Sequence, residues 1–229
     1  MLGMPFDPAA EYEIRDRCKP HWSQTGTVVF ITMRLADSVP RDLIRQWDRE
    51  RIDWLRRAGV LPRDDENWRP AVELLEDSER ERFTKHFHRL RETTLDESLG
   101  DCVLQHPAAS QQVATSLMKF DGDRYHMGDF VIMPNHVHLM AVFTDKASML
   151  KQCTGWMHYT ARQINQSLGR RGALWQTDPF DHLVRSGDQY DYLRGYIRDN
   201  PRKAGLEPRK ILYRHHPDTL EQAMRRWRP

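Results

Sequence analysis

Long apolar runs are missing from this 229-residue chain. No stretch approaches the roughly 18 apolar residues that a membrane-spanning helix requires, and the first residues lack the apolar core of a signal peptide. Charged residues make up 30% of the sequence, and the mean hydropathy is -0.77. We therefore expect a soluble, cytoplasmic protein that does not associate with membranes.

Cysteine is also scarce. The chain has three cysteines, Cys18, Cys102 and Cys153, which are far apart and form no C-x-x-C pair. A disulfide framework or a thiolate zinc site requires more cysteines at closer spacing. Both classes are excluded, and we interpret the three cysteines as structural thiols.

Two apolar runs flank a Pro-Asn turn in residues 129–143, DFVIMPNHVHLMAVF. The pattern predicts a β-hairpin with strands at about 124–133 and 136–143. Because side chains alternate along a strand, His136 and His138 would project from the same face, just after the turn. Neutral imidazole is a common metal ligand, so the pair predicts a metal site that needs at least one further ligand.

The H-x-H string alone does not define the class of protein. Two histidines that are hydrogen-bonded on an edge strand and bind no metal would produce the same string, and this interpretation stays open. A JAMM-type metalloprotease is excluded because Lys146 stands where that motif requires a serine. An amidohydrolase is excluded because too little chain follows Phe143 for a (β/α)₈ barrel of about 250 residues.

The segment before the hairpin predicts one strand and three helices. Residues 26–35 are rich in β-branched residues and predict the first strand. Its two faces would carry Phe30, Thr32 and Arg34 on one side and Val29, Ile31 and Met33 on the other. Helical spacing of apolar residues follows at about 40–58, 71–95 and 109–120. Residues 41–120 are therefore predicted to be a helical elaboration between the first strand and the hairpin.

After the hairpin, a helix is predicted over about 146–168, with Leu168 inward and Gly169 as its C-cap. Residues 173–185 predict two short strands interrupted at Pro179. The domain is predicted to span 26–206. An irregular lead-in would occupy 1–25, and a basic tail with a short helix near 217–227 would occupy 207–229.

A helix predicted over 188–200 offers the missing metal ligand. Ser186 or Asp188 would cap it, and Pro201 would end it. Tyr192, Tyr196 and Asn200 lie one turn apart, beside an apolar stripe of Tyr190, Leu193 and Ile197. The amide oxygen of Asn200 suits Mg²⁺ or Mn²⁺, and the phenol of Tyr196 could reach the same ion. A phenol poised at a metal suggests phosphodiester chemistry, in which tyrosine attacks and a 3'-hydroxyl leaves.

Other tyrosines are weaker candidates for the nucleophile. Tyr192 is two turns from Asn200, and Tyr159 has no ligand type one turn away except Gln163. We interpret Tyr125, Tyr190 and Tyr213 as structural residues.

Positive charge is concentrated in the C-terminal third. Residues 1–150 carry 20 Lys and Arg against 25 Asp and Glu, whereas 151–229 carry 15 against 8. Aromatic residues are interleaved with these cations. Cations for phosphates and aromatic faces for bases are typical of a single-stranded nucleic-acid interface. If there were no metal site nearby, a solvated helical surface would explain the charge equally well.

Three stretches resemble a known family. PNHVHL, YTARQINQSLGRRGALWQ and YIRDNPRKAGL are similar to the REP-associated tyrosine transposases, a group of the IS200/IS605-like tyrosine transposases in the HUH superfamily. The resemblance covers most of residues 22–206. It implies an α+β fold, ferredoxin-like, in which helices back an antiparallel sheet and the tyrosine helix lies across it.

The resemblance also implies a function. His136 and His138 would be the metal pair, Asn200 the third ligand and Tyr196 the nucleophile, with Mg²⁺ or Mn²⁺ bound. Members of the family act on single-stranded DNA beside imperfect palindromes that form hairpins. We therefore expect a metal-dependent single-stranded DNA endonuclease and strand transferase that forms a covalent 5'-phosphotyrosine at REP-like hairpins.

The same resemblance, with the basic composition, suggests the DNA contacts: Arg162, Trp175, His182, Arg185, Arg198, Arg202 and Lys203. The protein would be nucleoid-associated and either a monomer or a homodimer. Two alternatives come from other classes. A catalytically silent hairpin-DNA-binding protein would keep the fold, and a hydrolase of small phosphoesters would leave the basic third unexplained.

Overall fold

The structure is a computed structural model that describes residues 2–16, 20–61, 68–145, 148–207 and 211–214. The chain divides into two compact units. The sheet unit comprises the described residues up to Ala36 and from Asp101 onward, and the helical unit is Asp37–Gly100. No helix in the described ranges is long and apolar enough to cross a membrane.

The sheet unit contains seven strands and three α-helices among its described residues. The strands are β1 (Glu13–Asp16), β2 (Pro20–Ser23), β3 (Val28–Arg34), β4 (Tyr125–Ile132), β5 (His136–Phe143), β6 (Phe180–Leu183) and β7 (Leu212–Arg214). The helices α4 (Pro107–Met118), α5 (Ser148–Ser167) and α6 (Gly187–Lys203) belong to this unit, with a 3-10 helix at Val103–Gln105. The helical unit contains α1 (Arg41–Arg57), α2 (Arg69–Val72) and α3 (Asp77–Asp96).

Five strands form an antiparallel sheet in the order β6-β3-β5-β4-β7. In chain order, β3, α4, β4, β5, α5 and β6 make a βαββαβ unit, whose strands lie in the spatial order fourth, first, third, second. This arrangement is the ferredoxin-like topology. The α+β fold class and the predicted hairpin of β4 and β5 are therefore confirmed.

Both faces of the sheet are covered. Val29, Ile31 and Met33 join the main core, to which α4 and α5 contribute residues such as Val113 and Cys153. On the opposite face, Phe30 packs in a second cluster with residues of α6. The predicted alternation along β3 is therefore confirmed. Every residue of β3 and β5 is buried, because α6 covers the sheet face that carries Phe30 and α4 and α5 cover the opposite face.

Two predictions at the ends of the domain need correction. The lead-in at 1–25 is not irregular throughout, because β1 and β2 pair antiparallel and precede β3. His21 of β2 contacts the carboxylates of Asp178 and Asp181, which ties this pair of strands to the region of β6. At the other end, β7 pairs with β4, so the predicted tail contributes a strand to the sheet. The helix predicted near 217–227 lies outside the described residues.

Helix boundaries also differ from the prediction. The pattern at 71–95 is two helices, because residues between α2 and α3 form a turn in which Leu74 is 72% exposed. Helix α4 belongs to the sheet unit and contributes to its core, so the separate helical unit is 37–100, not 41–120. Leu168 is exposed just after α5, and Gly169 has a φ of 62°, as a C-cap requires.

Helix α6 does not end before Pro201. It continues to Lys203, and the backbone N–H of Ala204 donates to the carbonyl of Asn200 at 3.0 Å. A proline removes one N–H and crowds the preceding turn, but does not exclude helical backbone at the residues that follow it. Pro201 is buried, so its ring is packed against neighbours instead of facing solvent.

Candidate metal and tyrosine site

The two histidines lie on the central strand of the sheet. His138 on β5 is opposite Thr32 of β3, and His136 is opposite Arg34. Both side chains are fully buried, and their ring centroids are 4.5 Å apart. His138 also stacks against Phe30, with ring centroids 5.4 Å apart. Strand alternation therefore places the pair on the sheet face that α6 covers.

Each imidazole is held through its Nδ1 atom. Nδ1 of His136 lies 2.7 Å from Oδ1 of Asn135, and Nδ1 of His138 lies 2.9 Å from Oγ1 of Thr32. Because an amide oxygen only accepts, Nδ1 of His136 donates its proton there and Nε2 keeps a free lone pair. Such partners orient the ring of a metal-binding histidine and set its tautomer.

Helix α6 brings the tyrosine and the asparagine to the pair. Its first turn is capped by Ser186, whose hydroxyl accepts from the backbone N–H of Gln189 at 3.1 Å. Tyr190, Leu193 and Ile197 are buried against the sheet, as their helical spacing predicted. This anchoring turns the neighbouring stripe toward the histidines. The hydroxyl of Tyr196 consequently lies 3.5 Å from Nε2 of His138.

Asn200 completes the cluster one turn later. It is fully buried, and neither its amide oxygen nor its amide nitrogen has a hydrogen-bond partner. Nε2 of His136 is also buried without a partner. The Asn200 side chain approaches His136 and partly opposes the lowering of its pKa, but this contact lacks the geometry of a hydrogen bond. Buried polar atoms without partners are rare and require an explanation.

A divalent cation would explain why these polar atoms are buried without partners in the protein. Imidazole nitrogens and an amide oxygen are suitable ligands for Mg²⁺ or Mn²⁺, and His136 and Asn200 each have a lone pair available here. Across the described parts of the chain, no group of three or more His, Cys, Asp and Glu side chains could hold a metal ion. The His-His-Asn set offers two imidazole nitrogens and one amide oxygen, with a phenol beside them.

Both imidazoles are uncharged at neutral pH. Burial lowers the pKa of His136 to about 3, with the positive charge of Arg34 lowering it further and Asn200 partly opposing the shift. Burial also lowers the pKa of His138 well below its usual value, helped by His136 and Arg34. Only the neutral form can bind a metal, so the site is in the protonation state that a ligand pair requires.

The exposed cations lie on or beside α6. Arg185, Arg198, Arg202 and Lys203 are all exposed, and Nζ of Lys203 lies 5.2 Å from the ring centroid of Tyr196. Arg198 forms an ion pair with Asp199 at 3.0 Å. Of the three on α6, Lys203 lies beside the Tyr196 ring, whereas Arg198 is only two residues after Tyr196 and therefore faces another side of the helix.

The other suggested DNA contacts have different surroundings. His182 of β6 is half-buried, and its Nε2 atom lies 2.7 Å from Nε2 of Gln189. Arg162 is exposed on α5, which packs on the face opposite the histidines. Trp175 must be corrected, because it is 7% exposed and donates to Oγ1 of Thr160 at 2.9 Å. Its ring belongs to the core and offers no face to a base.

The other tyrosines have different surroundings. Tyr159 is on α5, across the sheet from the histidines, with the Lys119 ammonium 5.7 Å from its ring centroid. Tyr192 is 68% exposed. Tyr125 is buried and donates to the carbonyl of Leu117 at 2.7 Å, which fits the structural role expected for it.

Three residues at the site were given no role by sequence reasoning: Thr32, Arg34 and Asn135. The alternation along β3 did place Thr32 and Arg34 on one face, but not beside the histidines. The signal that could have found them is polarity, because both interrupt an otherwise apolar strand. Only the pairing of β3 with β5 shows that they meet the histidines.

Fold and site together define a ferredoxin-like α+β protein with a buried His-His-Asn cluster beside a tyrosine. No protein-family model matches the chain, and no curated protein matches it. Among solved structures, the chain is similar to a REP-associated tyrosine transposase bound to a REP hairpin. The two are 15% identical, with a TM-score of 0.44, and the match covers 82% of this chain and 73% of that chain.

Proposed function

We propose that this protein is a metal-dependent single-stranded DNA endonuclease and strand transferase that acts at REP-like hairpins. The observation that carries the proposal is the meeting of four side chains from distant parts of the sequence. The Tyr196 hydroxyl is 3.5 Å from His138, while His136 and Asn200 present buried atoms without partners. A purely structural cluster would satisfy those atoms internally.

His136, His138 and Asn200 would hold Mg²⁺ or Mn²⁺. The bound ion would supply Lewis-acid chemistry by withdrawing charge from a phosphate oxygen. Tyr196 attacks the phosphorus and gives up its proton, the bond to the 3' oxygen breaks, and that oxygen takes up a proton as it leaves. The product is a 5'-phosphotyrosine. Because one phosphodiester replaces another, the strand can be rejoined without ATP.

The remaining residues support binding of a single strand. Arg185, Arg198, Arg202 and Lys203 supply exposed positive charge for phosphates, and the exposed ring of Tyr192 lies one turn from Tyr196. A small phosphoester would need none of these groups. A substrate with an extended backbone therefore explains more of the surface around the site.

The test is covalent capture of DNA. A labelled single-stranded oligonucleotide with a hairpin is incubated with protein and Mn²⁺ or with EDTA, then resolved on a denaturing gel. We expect a protein–DNA adduct only with the metal. Tyr196→Phe should abolish the adduct while leaving DNA binding nearly unchanged, because only the attacking oxygen is removed.

The matched control is Tyr192→Phe, which removes a hydroxyl from the same helix and should leave the adduct intact. Loss of the adduct in Tyr159→Phe instead of Tyr196→Phe would contradict the assignment of the nucleophile. Binding of the hairpin without any adduct under either condition would favour a catalytically silent DNA-binding protein.

A further inference from the structure

A buried ion pair joins α6 to the sheet, and the proposed reaction gives it no part. Nε of Arg194 donates to Oδ2 of Asp129 at 3.0 Å, and the two side chains are 15% and 2% exposed. The guanidinium carbon of Arg194 also lies 5.6 Å from the ring centroid of Tyr190, one turn earlier on the same helix. Hydrogen bonds between charged groups are short and directional, so the pair links the tyrosine helix to β4 in one orientation.

Strand β4 is shaped to present Asp129 to the helix. Between Met127 and Phe130 it advances three residues while its partner β5 advances two, so β4 contains a β-bulge. A bulge re-aims side chains and is common beside functional sites. Asp129 lies in this bulge, on the same face as Val131, which packs in the apolar cluster with α6. A carboxylate therefore stands beside an apolar contact, where it meets Arg194.

Arg194 and Tyr196 lie on opposite sides of the buried stripe of α6. They are two residues apart and therefore about 200° apart around the helix axis. Arg194 contacts β4, whereas the Tyr196 hydroxyl lies 3.5 Å from Nε2 of His138 on β5. Apolar burial holds a helix on a sheet but is non-directional, whereas an ion pair has a preferred geometry. The pair therefore resists a roll of α6 about its own axis.

A small roll is enough to disturb the site. The tip of a side chain is about 6 Å from the helix axis, so a roll of about 10° displaces it by about 1 Å. A displacement of about 1 Å between reacting groups can reduce a rate about 100-fold. Buried ion pairs contribute little net stability, because the desolvation of both charges offsets their attraction. The pair is thus expected to affect the geometry of the site more than the stability of the fold.

We propose that Asp129 and Arg194 are positioning residues that set the roll of α6 and thereby hold the Tyr196 hydroxyl at the histidines. In the proposed reaction neither residue touches the reacting atoms, and both act through the helix. The kinetic consequence of this inference rests on the proposed function. Its structural consequence is measured in the protein alone, without metal or DNA.

The test replaces the ion pair by two apolar side chains in one double variant, Asp129→Leu with Arg194→Met. Exchanging both partners leaves no buried charge unpaired, and such exchanges are often neutral in stability. We therefore expect the urea midpoint of the double variant to stay close to that of the unaltered protein. Its effects on the site are then separable from loss of fold.

The first measurement is ¹⁹F NMR of protein labelled with 3-fluorotyrosine. The resonance of Tyr196 is assigned by its loss in Tyr196→Phe. The ring centroids of Phe30 and His138 lie 6.1 and 5.1 Å from that of Tyr196, so a roll of α6 should move this resonance. We expect the shift in the double variant. The resonance of Tyr125, which belongs to the core on the other face of the sheet, should stay in place.

The second measurement is the single-turnover rate of adduct formation at saturating Mn²⁺ and hairpin oligonucleotide. We expect the double variant to lose about tenfold or more in this rate, because the nucleophile is displaced. Its affinity for the oligonucleotide should change little. A merely structural role would have a different signature, since unfolding reduces the amount of adduct and leaves the rate constant of the folded fraction unchanged.

Two further variants complete the experiment. Arg194→Lys keeps a positive charge on this side of the helix and should retain most of the rate. Arg170→Met is the matched control, because it removes an ion pair with Asp101 of 2.8 Å that does not involve α6. It should change neither the Tyr196 resonance nor the rate.

The inference is overturned if either the Tyr196 resonance or the rate of the double variant equals that of the unaltered protein, or if Arg170→Met has effects of the same size. If the double variant does not fold, Asp129→Asn decides by the same two measurements, since it removes the negative charge and keeps the size of the side chain. An unmoved Tyr196 resonance in that variant contradicts the inference.

Failure of this inference differs from failure of the proposed function. An unaltered protein that forms the adduct, at a rate insensitive to the ion pair, contradicts only the positioning role. An unaltered protein that forms no adduct with Mn²⁺ contradicts the proposed function, and the NMR measurement still decides whether Asp129 and Arg194 set the roll of α6.

Discussion

Single side chains outside the proposed ligand set control how the ligands are presented. Thr32 and Asn135 each hold the Nδ1 atom of one histidine, and both are buried. Without such a partner an imidazole can rotate or change tautomer, and the metal affinity then falls by about 10- to 100-fold. The orientation of the histidines therefore depends on a neighbouring strand and on the turn before β5.

Thr32→Val tests this dependence, since it removes the hydroxyl and keeps the shape. We expect Mn²⁺ affinity, measured in the presence of the hairpin oligonucleotide, to fall about 10-fold or more. Thr27→Val is the matched control, because Thr27 is also buried but its hydroxyl donates to Gln24 at 2.8 Å. Equal Mn²⁺ affinities for the two variants would show that the hydroxyl of Thr32 does not orient His138.

The burial of His136 predicts a dependence of stability on pH. Its pKa is lowered to about 3 in the folded protein, whereas an unfolded chain has a histidine pKa of about 6.5. The unfolded state therefore takes up the proton first, and stability falls as the pH decreases below 6.5. At pH 5 the loss from His136 alone is about 2 kcal/mol relative to neutral pH.

Urea denaturation in EDTA at pH 7.5 and pH 5 measures this loss. In the His136→Gln variant the free energy of unfolding should fall less between the two pH values, because the group that titrates has been removed. The control is His158→Gln, at an exposed position on α5. A pH dependence in His136→Gln as large as that of the unaltered protein would refute the prediction.

At the scale of elements, α6 determines whether the site exists. The helix carries both Tyr196 and Asn200, and its buried stripe of Tyr190, Leu193 and Ile197 fixes its rotation on the sheet. The register of β3 with β5 has the same importance, because a shift by one residue would turn both histidines to the opposite face.

Ile197→Ala tests the anchoring of α6. Removing this fully buried side chain should cost about 2 to 5 kcal/mol of stability. It should also reduce adduct formation by Tyr196 in protein that is still folded, because the helix loses a contact between the two site residues. Tyr192→Ala on the same helix is the control, since an exposed residue should change stability by less than about 0.5 kcal/mol. Unfolding curves that coincide for the two variants would show that Ile197 does not anchor the helix.

The elements that the sequence predicted well are those with a local pattern. The hairpin around Pro134 and the buried stripe of α6 have clear periods of two and about 3.6, and burial on one face enforces them. Strands β1 and β2 were missed, because four-residue strands carry little periodicity and are held by long-range contacts such as His21 with Asp181. Trp175 was misassigned because composition does not distinguish a core aromatic ring from an exposed one.

The candidate site likewise combines features that follow from local sequence patterns with features that depend on the tertiary fold. The spacing of Tyr196 and Asn200 on a helix, and of the two histidines on a strand, follows from local geometry. The contact between this helix and this strand is a property of the tertiary fold. The position of Arg34 depends on strand pairing over about 100 residues of intervening sequence, which no local pattern encodes.

At the scale of the whole molecule, each unit has its own core. The two clusters around the sheet contain no residue of 37–100, and the clusters that include Trp47 and Phe83 contain no residue outside it. The chain also enters and leaves the helical unit at one place. An ideal β-carbon built on Gly100 would lie 2.6 Å from the carbonyl oxygen of Asp37, and Gly100 has a φ of 90°. The helical unit is thus arranged as an insertion with adjacent ends.

This arrangement predicts that residues 38–99 can be replaced by a short Gly-Ser linker without unfolding the sheet unit. All four proposed site residues belong to the sheet unit, so Mn²⁺ binding in the presence of DNA should also persist. The measurement is a cooperative thermal transition together with the Mn²⁺ titration. As a control, Gly100→Val in the full chain should destabilise the helical unit, because any side chain would collide with the backbone of Asp37. A shortened chain without a cooperative transition would show that the two cores are not energetically independent. A shortened chain that folds but forms no adduct, while retaining Mn²⁺ affinity, would instead assign residues 37–100 a part in binding the DNA strand.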